Sequence, residues 1–486
     1  MNRRERRPLA TITFAAAIAI VTFACSPKRP ELVRRPEHPA SALAIRNVAV
    51  LDVETGTLTP GRDVFVQDGS IVAVTAAGEG SAPPNAAEID GAGATLLPGL
   101  IDAHGHVGNS SEPGWLGKLP DPDANLRAYL YCGVTTVLDP ADLSSQAFDR
   151  RDRVARGELL GPRIFAAGPM VTAPGGHPIP ILRQLAPWWI RWYLRPRIAI
   201  EISSPDEARE AADRIAEMGA DFMKLAVDHI PEEAPEISNE VLVAAVAEAR
   251  KKGLRPIAHI GSTDDALAAA RAGVAAWMHG VYKERIADEK IAELAAFHIP
   301  MVPTMVVFDS YAGVGRGPRE PTPLERETVP DDVLRAFDPV PESYDMSFFR
   351  TFLDRLYAER EHWRENVRRL RAAGVTMFAG SDTQTGVFPG AGLHRELALL
   401  TEAGLTPADA IRAATIDPAR FLANGKEPEF GIVAPGKRAD LLLVEGDPTR
   451  DLGVLARIRA VIRDGVVLER TAVDGSRKNP AMPHQR

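Results

Sequence analysis

Short apolar runs alternate with segments of helical periodicity through the middle of the chain. Residues 205–218, 239–252 and 263–272 carry apolar positions at helical spacing between such runs. Strand–helix alternation repeated about eight times predicts an α/β fold, a parallel (β/α)8 barrel of the TIM type. A doubly wound open sheet is the alternative, because alternation alone does not prove closure. The apolar runs are Leu96–Ala103, Gly133–Asp139, Arg163–Ala167, Phe222–Val227, Pro256–His259, Ala275–His279, Pro300–Val307 and Val375–Ala379.

Both ends of the chain carry β-like runs separated by Gly- and Pro-containing turns. Asp464–Gly465 is a hairpin signal inside the last of them. Because these runs flank the long middle, they predict a small β-sandwich domain assembled from both chain ends. They are Leu43–Leu51, Asp63–Gln67, Ile71–Val74, Ala439–Glu445 and Ala460–Val467.

The first residues have the pattern of an export signal. Four arginines within residues 3–7 precede an apolar run from Leu9 to Ala24, which stops at Cys25. This resembles a bacterial lipoprotein cleavage site, and it predicts an exported protein, periplasmic or anchored to the outer membrane by a lipid on Cys25. An uncleaved anchor or ordinary secretion is the alternative. The predicted boundaries are 1–24 for the signal, 25–42 for a linker, 43–97 and 427–472 for the β-sandwich, 98–426 for the barrel and 473–486 for a tail.

Two long insertions interrupt the alternation. Residues 181–197 carry three tryptophans, Tyr193 and several arginines, and residues 309–349 are rich in proline, glycine and acidic residues. Long connections in a compact domain are usually lids or substrate walls, which is our interpretation of both. Contact with a membrane surface is the alternative for the aromatic, basic insertion.

Composition narrows the classes of partner. A chain of 486 residues with 45% hydrophobic content is long enough for a barrel and an accessory domain. The formal net charge is −8 and no basic face stands out, so nucleic acid is not an expected partner. Cys132 lies in an apolar stretch and is predicted to be buried and inert. The expected partner is a small molecule, and a homo-oligomer is compatible with the composition.

The strongest chemical signal is His104-Gly105-His106 at the end of the first apolar run. In a strand, residues i and i+2 point to the same side, so both imidazoles can face one metal ion. A His-x-His pair alone is weak evidence, but active sites of barrels are built at these carboxyl ends.

Four more ionisable residues lie in or at the ends of later runs: Lys224, His259, His279 and Asp382. Burial would lower the pKa of Lys224, and a neutral amine near metal ions can take up CO₂ to become an anionic carbamate. A solvated lysine at a strand end is the alternative. Each lone histidine is more often a packed core residue than a ligand, but two in consecutive runs favour a metal site. Asp382 could bind a metal ion and move a proton.

Together these residues resemble the amidohydrolase superfamily, in the branch of imidazolonepropionase-like and prolidase-like enzymes. The resemblance covers residues 43–470 and includes the segments 405–408, 413–415 and 435–441. It implies two divalent metal ions, with zinc expected because nitrogen and oxygen ligands suit it. The implied ligands are His104, His106 and Asp382 for one ion, His259 and His279 for the other, and a CO₂-derived carboxylate on Lys224 bridging both.

The resemblance implies a hydrolase that cleaves a carbon–nitrogen bond in a small amide, peptide or cyclic amide. A metal-bridging hydroxide would attack the carbonyl, and Asp382 would pass its proton to the leaving nitrogen. His177, in a loop after the third run, is expected to face the substrate, with a loop histidine as the alternative. Tyr282 is a weaker candidate for the pocket wall.

The sequence departs from the pattern of related peptidases at one place, and three alternative functions remain open. Related peptidases often have Ala-Tyr after the fifth-strand histidine, where this chain has His259-Ile260-Gly261, so recognition of a free carboxylate is in doubt. A mononuclear deaminase of the same fold is disfavoured, because Lys224 is present and Ser262 stands where a glutamate is typical. A lactone or ester hydrolase also fits. A non-catalytic scaffold lipoprotein should have lost ligands.

Overall fold

The barrel is built from seven short parallel strands and one extended segment. The structure, a computed structural model, describes residues 31–475, so the predicted signal and Cys25 lie outside the described residues. The parallel strands belong to a three-stranded and a six-stranded group. The barrel strands are Leu100–Asp102, Val134–Asp139, Arg163–Ala166, Phe222–Ala226, Arg255–His259, Ala276–Met278 and Met301–Val302. The six-stranded group also includes Met170–Thr172 and Ala199–Glu201.

Backbone hydrogen bonds join the two groups on both sides. The amide of Asp221, just before the fourth strand, donates to the carbonyl of Ala166 over 2.9 Å. On the other side, the amide of Ala103 donates to the carbonyl of Ala379 over 2.9 Å. The strands therefore form a ring, and the predicted barrel is confirmed over the open doubly wound sheet.

Three of the eight predicted runs differ from the structure by more than one residue at an end. Leu96–Ala103 is divided: Ala94–Pro98 pairs in the terminal β-domain and only the residues after Gly99 enter the barrel. Pro300–Val307 is strand only at Met301–Val302, and a helix begins at Met305. Val375–Ala379 contributes one bridge, from Met377 to Met301. A purely apolar run has no period that distinguishes a strand from the first turn of a buried helix.

Helices cover the outside of the barrel, and serine caps set where several begin. Ser204, Ser238 and Ser262 each accept a hydrogen bond from the backbone amide three residues later. The helices are Pro122–Tyr131, Ser144–Ala155, Ile179–Leu185, Trp188–Ile198, Pro205–Glu217, Asn239–Lys251, Thr263–Ala272, Asp288–Ala295, Met305–Gly313, Pro323–Thr328, Asp331–Arg335, Ser347–Ala358, Arg360–Ala372, Ala391–Glu402, Pro407–Ala413 and Ile416–Leu422, with 3-10 turns at Gly114–Leu116 and Leu452–Ala456. Within residues 31–475, none combines the length and apolar character needed to cross a bilayer.

Strands from both chain ends share one eight-stranded sheet. The Asp464–Gly465 turn predicted from the sequence has positive φ at both residues, as a two-residue hairpin requires. The eight strands are Ala42–Asp52, Thr57–Gln67, Ser70–Ala76, Ala87–Asp90, Ala94–Pro98, Leu441–Glu445, Ile458–Arg463 and Val466–Val467. Within the predicted linker, Val33–Arg34 pairs with Glu469–Arg470, so this part is ordered β-structure instead of a free tether.

The strand Leu441–Glu445 connects the two hydrophobic cores. Leu441 and Leu443 belong to the core of the terminal sheet, whereas Leu442 and Val444 belong to the main core of the barrel. Alternate residues of a strand point to opposite faces, so one strand is buried on both sides.

We expect Leu442→Ala to lower the free energy of unfolding by about 3 kcal/mol, because Leu442 is fully buried and its loss leaves a cavity. Urea unfolding followed by circular dichroism measures the change. Val72→Ala, at a half-exposed position of the same sheet, is the control and should change stability little. Equal effects of the two substitutions would contradict this assignment of the core.

Candidate metal centre

The six residues singled out from the sequence lie together at the carboxyl end of the barrel. His104 and His106 follow the first strand, Lys224 lies within the fourth, His259 ends the fifth, and His279 follows the sixth. Asp382 follows the extended segment that takes the place of the eighth strand. All six are buried, with at most 6% of any residue exposed.

Asp382 lies at the centre of the cluster. Its Oδ1 is 3.0 Å from His106 Nε2 and 3.6 Å from His104 Nε2, and its Oδ2 is 3.7 Å from His279 Nδ1. Lys224 Nζ is 3.3 Å from His104 Nε2. One donor atom each from His104, His279 and Asp382 lie within 4.8 Å of one another, close enough to share a metal ion.

His259 completes the cluster on the other side of His279. The two imidazole centroids are 4.2 Å apart, and the centroid of His104 is 4.6 Å from that of His279. The structure thus brings all six predicted side chains into one buried group, as a two-metal site requires.

Hydrogen bonds from the second ring nitrogen orient the imidazoles. His106 Nδ1 is 2.9 Å from the carbonyl oxygen of Ala141, which leaves Nε2 facing Asp382. His259 Nε2 is 3.3 Å from Asp228 Oδ2. Among the described residues, Nδ1 of His259 and Nδ1 of His104 have no hydrogen-bond partner. A buried ring nitrogen without a partner is a costly arrangement that a metal ion would satisfy.

The backbone at the site is held in unusual conformations. His279 and Asp382 have φ of 75° and 50°, in the left-handed region that disfavours side chains with a Cβ. The amide of Asp382 donates to the carbonyl of His104 over 2.6 Å. Asp102 accepts hydrogen bonds from the amide and the hydroxyl of Ser381, at 2.9 and 2.5 Å. These bonds tie Asp382 to the first strand and maintain its strained geometry.

Burial sets the protonation states of these groups. It lowers the pKa of His104 and of His279 well below their ordinary value, so both imidazoles are neutral and can offer a lone pair. Burial lowers the pKa of Lys224 to about 8, which leaves part of the amine neutral at physiological pH. Burial alone would raise the pKa of Asp382, but the neighbouring imidazoles hold it well below its usual range.

His106 is the exception among the histidines. Burial would lower its pKa, but the neighbouring carboxylates of Asp139 and Asp382 raise the pKa of His106 to about 9. Without metal, His106 is therefore an imidazolium that neutralises Asp382.

Asp228 is a feature of the site that sequence reasoning missed. This fully buried carboxylate follows the fourth strand and contacts Nε2 of His259, the hydroxyl of Tyr282 and the ammonium of Lys283. Burial would raise the pKa of Asp228, but His259 and Lys283 hold it below its usual value. A carboxylate on the outer nitrogen of a histidine fixes the ring and its tautomer for metal binding. The sequence signal for Asp228 was its position one residue after a predicted strand.

The residue after His259-Ile260 is glycine for a steric reason. A Cβ on residue 261 would overlap the carboxylate of Asp228. The absence of a side chain at residue 261, where the Ala-Tyr pattern has tyrosine, therefore makes room for the buried carboxylate of Asp228.

The two candidate substrate residues are placed differently. His177 is buried, with its ring centroid 4.7 Å from that of His259, and burial lowers the pKa of His177 well below its ordinary value. Tyr282 is also buried, but its hydroxyl donates to Asp228 and its ring packs 4.4 Å from Phe308. A role of either residue in substrate binding stays a prediction.

A parallel barrel with buried histidine, lysine and aspartate side chains at its carboxyl end defines the class of metal-dependent hydrolases. The family model described as "Amidohydrolase family" matches residues 95–469. The chain belongs to the amidohydrolase family and is a hydrolase acting on carbon–nitrogen bonds, so the predicted superfamily is confirmed.

Three of the known proteins that are similar to the chain illustrate the range of the likeness. An uncharacterized protein of Mycobacterium tuberculosis is 27% identical over 447 residues, covering 90% of this chain and 98% of the relative. The crystal structure of a prolidase complexed with N-methylphosphonate-L-proline superposes with a TM-score of 0.70 at 25% identity, covering 88% of this chain and 100% of the other. Imidazolonepropionase of Cereibacter sphaeroides is 41% identical over 98 residues, 20% of this chain and 24% of that protein.

We expect metal binding to release protons, since His106 and part of Lys224 are protonated at neutral pH and must lose those protons to act as ligands. Because their pKa values are about 9 and about 8, apparent zinc affinity should rise with pH up to about 9 and level off above it. Calorimetric titration of chelator-treated protein in buffers of different ionisation enthalpy counts the protons. A proton count that does not fall above pH 9 would contradict these pKa values.

We expect Asp228→Ala to weaken retention of metal by about tenfold to a hundredfold, because His259 loses the carboxylate that orients it. Competition with a fluorescent zinc chelator gives the affinity. Asp228→Asn is the matched variant: it keeps the size and an acceptor oxygen and should lose less. Wild-type affinity in the alanine variant would show that His259 needs no such partner.

Proposed function

We propose that the chain hydrolyses an amide, peptide or cyclic amide bond of a small substrate with two divalent metal ions, zinc being the expected element. The observation that carries the proposal is the convergence of His104, His106, His259, His279, Lys224 and Asp382 in one buried cluster.

The donor set fits such ions. His104 and His106 lie 3.6 and 3.0 Å from Asp382 Oδ1, and the ring centroids of His259 and His279 are 4.2 Å apart. Nε2 of His104, which faces Asp382 and Lys224, and the unpartnered Nδ1 of His259 are nitrogen donors of the kind that a metal requires. When bound, the ions supply a lowered pKa for an attacking water and polarisation of the substrate carbonyl.

A carboxylated Lys224 is proposed as the ligand shared by both ions. Its amine is buried, its pKa is lowered to about 8, and its nitrogen is 3.3 Å from His104 Nε2. Carbamate formation joins the neutral amine nitrogen to CO₂ with loss of one proton from that nitrogen. Starting from the ammonium, two protons are lost in all, and a cationic side chain becomes an anionic one. That change removes the cost of an ammonium beside metal ions.

Asp382 is proposed to move the proton. Its carboxylate accepts a proton from the attacking water as the new carbon–oxygen bond forms, and returns it to the nitrogen as the carbon–nitrogen bond breaks. Gln384 Nε2 donates to Asp382 Oδ1 over 2.8 Å and so fixes the carboxylate. His177, neutral and buried, is proposed to donate a hydrogen bond to the carbonyl oxygen, which gains negative charge in the transition state.

The substrate class follows from the family and from the pocket wall. The likeness to a prolidase in complex with a proline phosphonate supports a dipeptide or another small amide. Gly261 stands in the sequence where related peptidases often have a tyrosine near a substrate carboxylate, and the carboxylate of Asp228 lies where a Cβ on residue 261 would be. We therefore favour amides without a free carboxylate at that end of the pocket.

The segment after His259 also disfavours the deaminase alternative. Ser262, which stands where those enzymes typically have glutamate, caps the helix Thr263–Ala272. It forms a capping box with Asp265, so it has a structural role there.

The test is a screen of dipeptides, N-acyl amino acids, cyclic amides and lactones with the zinc-loaded protein. We expect amide cleavage, about two equivalents of metal per chain by elemental analysis, and loss of detectable turnover in Lys224→Ala with less bound metal and an unchanged circular dichroism spectrum. Lys251→Ala, at an exposed helix end, is the control and should behave as wild type. A folded wild-type chain that binds no metal, or a Lys224→Ala variant with full activity, would refute the proposal.

A further inference from the structure

One short helix carries an unusual share of the exposed aromatic surface. Among residues 31–475, eight large hydrophobic side chains are exposed, and four of them lie within residues 188–193. Trp188 is 79% exposed, Trp189 59%, Trp192 75% and Tyr193 40%. Exposed apolar side chains scattered singly are ordinary, but a contiguous group marks an interaction surface. We call residues 188–193 the aromatic patch.

The patch is a property of the helix Trp188–Ile198, which has no buried residue. Trp188 and Trp192 are four residues apart, as are Trp189 and Tyr193, so the rings form two neighbouring pairs along the helix. The rings of Trp192 and Tyr193 also contact each other edge to face, at 6.0 Å between centroids. The helix therefore lies on the surface of the protein with its large rings in water.

The charged residues within the segment that carries the patch, residues 179–198, all have one sign. Residues 179–198 contain four arginines and no acidic residue, whereas the whole chain has a net charge of −8. Arg195 is paired with Glu201. Arg191 donates to the carbonyl of Ala186, and the guanidinium of Arg197 lies 3.7 Å from the centroid of the Tyr193 ring.

We propose that the helix Trp188–Ile198 docks on anionic phospholipid bilayers. Tryptophan and tyrosine are the side chains favoured at the level of lipid headgroups, where a ring can be half in hydrocarbon and half in water. Arginines beside them attract the anionic leaflet, at about 1 kcal/mol for each cation near the surface. A helix with these residues lies in the plane of the interface and does not span it.

A second copy of the chain fits this surface less well than a bilayer. A two-fold symmetric contact would place the patch against itself and bring the arginines of both copies together. Like charges in one interface oppose association. An anionic bilayer offers an apolar layer for the rings and negative charge for the arginines.

The docking surface is linked to the metal centre. Arg195 Nε and Nη2 each donate to Glu201 over 2.6 Å, and Glu201 accepts a hydrogen bond from the amide of Gly175 over 2.7 Å. Gly175 is two residues before His177, which stacks beside His259. The helix that meets the bilayer is thus tied to the loop that borders the catalytic cluster.

The experiment measures quenching of tryptophan fluorescence by vesicles with brominated acyl chains, using the full chain. Trp277 and Trp363 are buried and Trp115 donates to the carbonyl of Ala336, so quenching by lipid reports on the patch. The N-terminal apolar run is the same in all variants and cannot produce a difference between them.

We expect strong quenching with vesicles that contain phosphatidylglycerol, weaker quenching with pure phosphatidylcholine, and loss of most of it at high salt. Substitution of Trp188, Trp189 and Trp192 by serine removes the reporting rings, so this variant is compared with wild type by sedimentation with the same vesicles, where a smaller fraction of it should sediment at equal lipid. Arg191→Gln should raise the lipid concentration at half-maximal quenching about fivefold. Leu119→Ser, at an exposed position elsewhere, is the matched control and should match wild type.

Two results would overturn the proposal. The first is unchanged wild-type fluorescence on anionic vesicles. The second is self-association of the wild type, seen by light scattering without lipid, that disappears in the triple serine variant. Unfolding temperatures of all variants show that the comparison concerns folded protein; they should be nearly equal, because the substituted tryptophans and Leu119 are exposed and Arg191 is only half-buried.

Discussion

Desolvation of a group of ionisable side chains is the constraint on which the catalytic end of this barrel depends. An amine, a carboxylate and several imidazoles lie out of water within a few ångströms, and each charge that remains there must be compensated. In the protein alone, the imidazolium of His106 balances Asp382, while His104 and His279 are kept neutral by burial. Metal ions would replace the proton of His106 as the compensating charge. The same burial that is costly in the free protein therefore makes the cluster a strong site for cations.

Keeping such a cluster in place requires rigid support from residues that do not take part in chemistry. Asp102 holds both the amide and the hydroxyl of Ser381, and its pKa is raised by burial to about 6. Ser381 also lies 2.9 Å from the hydroxyl of Thr383, which is hydrogen-bonded to Tyr129. This network fixes the residues on both sides of Asp382, so the left-handed backbone of Asp382 is maintained by its neighbours.

How much of this could be predicted from the sequence depends on the kind of signal each part leaves. The barrel strands and the six clustered side chains were predictable because an ionisable residue at the end of an apolar run is conspicuous, and the runs recur. Asp228 and Asp102 leave only a weak signal, since a single acidic residue in or next to an apolar run is usually solvated. The sequence predicts a strand at the start of the helix Met305–Gly313, because the first turn of this helix is entirely apolar. The pairing of Val33 with Arg470 joins residues from opposite chain ends, which local patterns cannot reveal.

The pocket wall near His259 shows how one substitution changes several interactions together. With glycine at 261, the carboxylate of Asp228 can lie against the backbone, where it orients His259 and pairs with Lys283. With any larger residue at 261, that carboxylate would have to move, and both the imidazole and the ammonium would lose their partner. The ammonium of Lys283 is already engaged by Asp228 and by the carbonyl of His229, 2.9 Å away, so it is not a free cation for a substrate carboxylate. The Asp228 carboxylate that orients His259 therefore also neutralises Lys283, so the two side chains depend on one buried charge.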